Sequence, residues 1–151
     1  MATKKLRDFL DSHHVRYAVI THSPAFTAPE IAQSAHIPGK QLAKAVIFKA
    51  DGRLVMAVLP STQHVHTEAM RKAIGAQELV LATESEFSGR FPDCEPGAMP
   101  PFGKLFGIEV FVSPRLAEDE MICFNAGNHR ELIRMSYADF ERLGEPVPLT
   151  L

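Results

Sequence analysis

Three short segments of this chain carry residue types that could do chemistry. Residues 97–103 read Gly-Ala-Met-Pro-Pro-Phe-Gly. The two prolines fix φ, donate no N–H and push the residues before them toward extended geometry. Gly97 and Gly103 permit a tight turn or a close approach to the backbone. Such a loop is stiff in its middle and open at its ends. It can serve as a rigid surface turn, or it can hold the amides of Gly97, Ala98 and Met99 unpaired and aimed at a ligand.

The second segment is Leu42-Ala-Lys-Ala-Val-Ile-Phe48, an apolar run broken by Lys44. Strand alternation puts Lys44 on one face with Leu42, Val46 and Phe48. An ammonium there either binds an anion in a cleft or snorkels at the sheet rim. The third is Asn125-Ala-Gly-Asn-His129, small and polar residues after an apolar strand. It fits a hairpin turn through Gly127-Asn128, or a strand end where a ligand meets the sheet.

Other chemistry finds less support. His64 and His66 share a strand face, but no HExxH, CxxC or third ligand accompanies them. Cys94 and Cys123 carry no signature of a lowered pKa, and Cys123 reads as a small core residue. There is no Gly-x-Ser-x-Gly elbow and no phosphate-binding glycine loop. No protein nucleophile, metal or cofactor is expected.

The elements that must position these segments follow from periodicity. Leu6, Phe9, Leu10 and His13 share a helical face, predicting a helix over residues 4–13. A strand over 15–21 follows, with Tyr17 and Val19 on one side. Thr27-Ala-Pro-Glu30 reads as a capping box for a short helix that ends before Pro38. Strands over 42–48 and 54–59 flank an Asp51-Gly52 hairpin. The second is apolar throughout and so central, covered on both faces. A helix runs from Thr67 to a Gly75 stop, then a strand over 79–82 and a capped short helix at Thr83. Strands over 108–112, 121–124 and 131–135 lead to a helix capped by Ser136, and the tail beyond Pro146 is expected to be loose. Helices interspersed among hairpins predict an α/β fold of the α+β type: one mixed, partly antiparallel, curved sheet with surrounding helices.

The chain has 151 residues and a formal net charge of −2. One domain over residues 1–151 is expected. The charge argues against a broad grip on nucleic acid, and so against DNA, and leaves a small local contact open. No apolar run suits a membrane span or a signal peptide, so no membrane partner is expected and the protein reads as cytoplasmic.

Taken in order, Lys44 before its Asp-Gly hairpin, Gly97-Ala-Met-Pro-Pro101 as a Gly-x-x-x-Pro loop, and Ala126-Gly-Asn-His129 resemble the YbaK/EbsC family. That family is related to the editing domain inserted in bacterial prolyl-tRNA synthetases. The resemblance spans residues 15–143. It implies a YbaK-like fold and a free-standing aminoacyl-tRNA deacylase that hydrolyses the ester of a mischarged tRNA at its 3′ end, without metal or protein nucleophile. The net charge of −2 leaves room for an aminoacyl-tRNA synthetase as a second partner that supplies tRNA affinity. The Ala-Met-Pro-Pro filling departs from the Gly- and Ser-rich version of the loop, which leaves the amino acid removed open.

On that reading Gly97, Ala98 and Met99 donate to the oxyanion and Pro101 stiffens the loop. Lys44 engages the terminal phosphate or ribose, and His129 orients the water or the α-amino group. Ile20, Phe26, Gly127 and Asn128 contact the substrate, with Met99, Ile20 and Phe26 as pocket walls. The alternative is a non-catalytic module binding a tRNA 3′ end, a synthetase or an aminoacyl derivative. A hydrolase with metal on His64 and His66 is a third reading.

Overall fold

Strand β3 (Arg53–Pro60) is the spine of the sheet. Val55, Met56, Ala57, Val58 and Leu59 are all fully buried, as their unbroken apolar run predicts. The structure, a computed structural model, describes residues 3–23 and 28–150. Strand β2 (Leu42–Ala50) returns antiparallel to β3 across Asp51-Gly52. Both turn residues have positive φ, 50° and 87°, the geometry that matches a two-residue hairpin to strand twist.

On the far side of β3 lie β5 (Glu109–Val112) and then β8 (Val147–Pro148), both parallel. On the near side, β6 (Met121–Asn125) lies parallel to β2. Beyond it come β7 (Glu131–Ser136) and β1 (Tyr17–Thr21), each antiparallel to its neighbour. A short β4 (Leu79–Leu81) also pairs with β2, completing an eight-stranded mixed sheet among the described residues.

Alternation along β2 sorts the core. Ala43 and Ile47 face the main cluster, with Leu6 and Leu10 of α1 (Lys4–Ser12) and Phe140 and Leu143 of α5 (Tyr137–Gly144). On the opposite face Leu42 packs with Ile31 and Ala32 of α2 (Ala28–Ala35). Further along, Phe48 packs with Met70 of α3 (Thr67–Ile74). Lys44 falls between these two clusters, sharing their face as its spacing requires.

The edge of β2 away from β3 is divided. Pairing with β6 covers Leu42 and Ala43 only, and pairing with β4 begins at Phe48. Residues 44–47 therefore have no strand partner on that edge, and the sheet forks there.

The tail is not loose. Val147 and Pro148 pair with Phe111 and Val112, Leu149 donates its N–H to Val112 O at 2.8 Å, and its side chain is buried. An apolar residue fills the α3-side cluster while the strand covers the open edge of β5. Elsewhere the ends move little: α1 stops at Ser12, and β1 starts at Tyr17. The expected cap at Thr27 lies outside the described residues. A short α4 (Glu84–Phe87) follows Thr83, whose N–H is accepted by the Glu86 carboxylate at 2.8 Å.

The loop at 97–103 is nailed to the main core by Phe102. This ring is fully buried and lies edge-on to Phe9, Phe124 and Phe140, with centroids 5.6, 5.6 and 5.4 Å away. Phe102→Ala should lower the unfolding free energy by about 3–5 kcal/mol, read from urea denaturation. A loss below about 1 kcal/mol would mean that the loop is not anchored through this ring.

Candidate active site

Two turns meet at the β6 side of the fork and hold each other by their backbones. Glu95 N–H donates to Gly127 O at 2.8 Å, and Gly127 N–H donates to Ala98 O at 3.0 Å. His129 adds two bonds: its N–H reaches Glu95 Oε1 at 3.3 Å, and its ring Nε2 lies 2.8 Å from Pro96 O. A carbonyl only accepts, so Nε2 carries the proton. Gly97, at φ 83°, turns the chain against this ring.

Asn128 secures the second turn. Its Oδ1 accepts from the N–H groups of Arg130 and Glu131 at 2.8 and 2.9 Å, and its Nδ2 donates to Glu131 Oε1 at 3.1 Å. This is the local side-chain capping for which asparagine suits turns.

The clamp decides which amides are open. Ala98 is fully buried and donates its N–H to Glu95 O at 3.0 Å, so the expectation of an unpaired Ala98 amide is corrected: that donor closes the turn. Among the described residues the amides of Gly97 and Met99 have no hydrogen-bond partner. Gly97 is exposed, whereas Met99, Pro100 and Pro101 are buried.

Across the fork stands Lys44. Its Nζ donates to Gln63 O at 2.7 Å, and Gln63 Oε1 in turn accepts from the buried Ser113 hydroxyl at 2.7 Å. Lys44 has no carboxylate partner among the described residues. Burial pulls its ammonium below the ordinary lysine range. One donor is spent on Gln63, and the other two remain for a ligand.

Lys44, Gly97 and Asn125 line one cavity of about 210 Å³, walled by Ile31, Leu42 and Val46. That is space for roughly seven waters. Asn125, which sequence reading names only as the start of the third segment and gives no role of its own, is a site residue. Its Oδ1 is buried and has no hydrogen-bond partner among the described residues. The register Leu42↔Cys123 explains its place, because two residues further along both parallel strands set Lys44 abreast of Asn125 on one face.

The remaining predicted residues fall elsewhere. Met99 packs into the main cluster and does not line the cavity, because the clamp turns it under the sheet, and Ile31 takes the wall position. Ile20 packs behind that wall, beside Ile31 and Leu42. Phe26 lies outside the described residues. His64 and His66 line a separate cavity with Gln63, Met70 and Arg115.

The sequence profile of the aminoacyl-tRNA editing domain matches residues 22–143. The chain belongs to that family. The matched stretch contains Lys44, the clamped loop, Asn125 and the second turn. Membership in this editing domain family associates the chain with aminoacyl-tRNA editing, the general function of a deacylase.

Solved structures agree on the fold. A crystal structure described as a candidate trans-editing enzyme for prolyl-tRNA synthetase is similar at TM-score 0.81 and 18% identity, covering 98% of this chain and 96% of that one. A hypothetical protein gives 0.83 and 17%, covering 96% and 97%. A signal-transduction candidate from Marinobacter aquaeolei VT8 gives 0.75 and 17%, covering 98% of this chain but 30% of that one. No curated protein matches this chain by sequence. Among the described residues no helix is long and apolar enough to cross a membrane.

Two predictions follow from this geometry. A Cβ on Gly127, at φ 98°, would sit 2.3 Å from Thr3 Cγ2. Gly127→Ala should cost about 2 kcal/mol or more in urea denaturation, and a neutral effect would contradict the tight clamp. Burial, helped by Asp93, pushes the Cys94 thiol up to about 11, so it stays protonated at neutral pH. Burial also raises the Cys123 thiol. Cys94 should therefore resist iodoacetamide at pH 8, and rapid alkylation there would show a thiolate.

Proposed function

We propose that the protein hydrolyses the ester joining a wrongly attached amino acid to the 3′ end of tRNA, as a free-standing editing module formed by the whole chain. The observation that carries this reading is the cavity at the fork. It brings the unpaired amide of Gly97, an exposed residue on a loop held by its partner turn, together with an ammonium that has two unspent donors.

The reaction needs positioning and charge stabilisation more than a nucleophile. A water oxygen attacks the ester carbonyl carbon. The negative charge that develops on the carbonyl oxygen is met by the Gly97 N–H; the Met99 N–H, under the sheet with its side chain in the core, takes no part. The neighbouring ribose hydroxyl orients the water and relays its proton. The carbon–oxygen bond to the ribose then breaks, the ribose oxygen takes the proton, and free amino acid leaves.

Lys44 holds the terminal phosphate or ribose. Pro100 and Pro101 keep the loop stiff, and Gly127, Asn128 and His129 act as positioning residues through the clamp. With Nε2 protonated on Pro96 O, that nitrogen is not available as a base. Metal plays no part in this reaction, and the third reading, on His64 and His66, would require it. A synthetase partner would supply the tRNA affinity that a net charge of −2 does not.

Deacylation of Ala-, Ser-, Thr- and Cys-charged tRNAs tests the proposal. At least one should release amino acid with turnover, undiminished by EDTA. Lys44→Ala should lower kcat/KM by about 10–100-fold while the chain stays folded. Replacing the terminal ribose hydroxyl by hydrogen should slow the reaction. Tight tRNA binding without release would favour the non-catalytic module, and loss of activity in EDTA would favour metal chemistry.

A further inference from the structure

The cavity has two chemically different ends. At the β3 side, Lys44 Nζ is drawn toward Gln63 O and presents donors. At the β6 side the chemistry is accepting. Asn125 lines the cavity, and its Oδ1 is buried with no partner among the described residues.

A second acceptor comes from the backbone. Ser61 N–H bonds to Leu42 O, so Leu42 and every second residue after it turn their backbone groups toward β3. Ala82 N–H bonds to Ile47 O, so the odd positions turn toward the fork. Ala45 and Ile47 are the odd residues between the last β6 pairing at Ala43 and the β4 pairing at Phe48, and Ile47 C=O is taken by Ala82, which leaves Ala45. Its C=O and N–H face the fork with no strand partner. Ala45 also lines the cavity.

We infer that Asn125 Oδ1 and Ala45 C=O form a receptor for the free α-ammonium of the aminoacyl group, which enters the fork as a one-residue continuation of the sheet. The inference rests on the deacylase reading and adds a specificity rule to it. Buried acceptors left unpaired penalise a ligand that lacks the matching donors. An N-acylated ester keeps one N–H, loses the charge and adds bulk. The site therefore admits aminoacyl-tRNA and rejects N-acylated or peptidyl-tRNA. Asn125 is a substrate-binding residue in this account, and the charge repulsion between Lys44 and the α-ammonium fixes which way round the ester lies.

The experiment compares each charged tRNA of the panel with its N-acetylated form, in the parent protein and in Asn125→Leu and Asn125→Asp. In parallel, calorimetry measures binding of 3′-alanylamino-3′-deoxyadenosine, an amide-linked analogue, and its N-acetyl form. The parent should cleave the free-amine ester at least 100-fold faster and bind only the free-amine analogue. Asn125→Leu should raise KM by about 10–100-fold with a smaller change in kcat, and Asn125→Asp should restore KM because it keeps the acceptor. Equal cleavage of both forms, or an unchanged KM in Asn125→Leu, overturns the receptor and leaves the deacylase reading standing. Selective binding of the free-amine analogue without any ester cleavage upholds the receptor and removes the deacylase. Neither cleavage nor binding overturns both.

Discussion

The site depends on one reciprocal backbone contact. Glu95 N–H to Gly127 O and Gly127 N–H to Ala98 O tie two turns that are some thirty residues apart in sequence. Neither turn belongs to a sheet ladder at that point, so each is the other's source of hydrogen bonds. The contact also sets loop polarity. Ala98 spends its C=O on it and its N–H on Glu95 O within its own turn, which leaves the Gly97 amide unpaired. Phe102 then fixes the far end of the loop in the main core. A stiff segment anchored at both ends holds the unpaired Gly97 amide in place without reorganisation.

The second constraint is the divided edge of β2. A strand flanked along its length would have no room for a ligand beside its backbone. Here β6 leaves after Ala43 and β4 arrives at Phe48, so backbone groups and a cavity share one place. Lys44 sits between the apolar clusters under α2 and α3, and that burial lowers its ammonium's pKa while leaving donors unspent. The Ser113, Gln63 and Lys44 chain of hydrogen bonds holds the charge to one side. A ligand with a cationic end and an anionic or hydroxyl-rich end then has one favourable orientation.

Much of this is legible in the residues themselves. Alternation places Lys44 on the face with Leu42, Val46 and Phe48, and the Asp51-Gly52 signal gives the hairpin. Gly103 was expected to permit close approach, and a Cβ there would lie 2.6 Å from Ile108 O. What resisted reading is non-local. Asn125 becomes a cavity residue only through the parallel register with β2, which no local pattern encodes. The use of the Ala98 amide, and Met99 turning into the core, depend on the clamp between distant turns. The tail looked loose because two residues make a poor strand alone. They pair because β5 offers an edge and Leu149 a buried place.

The central claim is that the charged 3′ end enters the fork of β2. The most direct measurement is an amide chemical-shift map of the ¹⁵N-labelled protein titrated with an acceptor-stem RNA ending in an amide-linked aminoacyl adenosine. The account predicts the largest shifts at Ala45, Gly97 and the Asn125 side chain. Shifts confined to the groove lined by Lys49, Arg53 and Arg90, or to the cavity at His64 and His66, would contradict it.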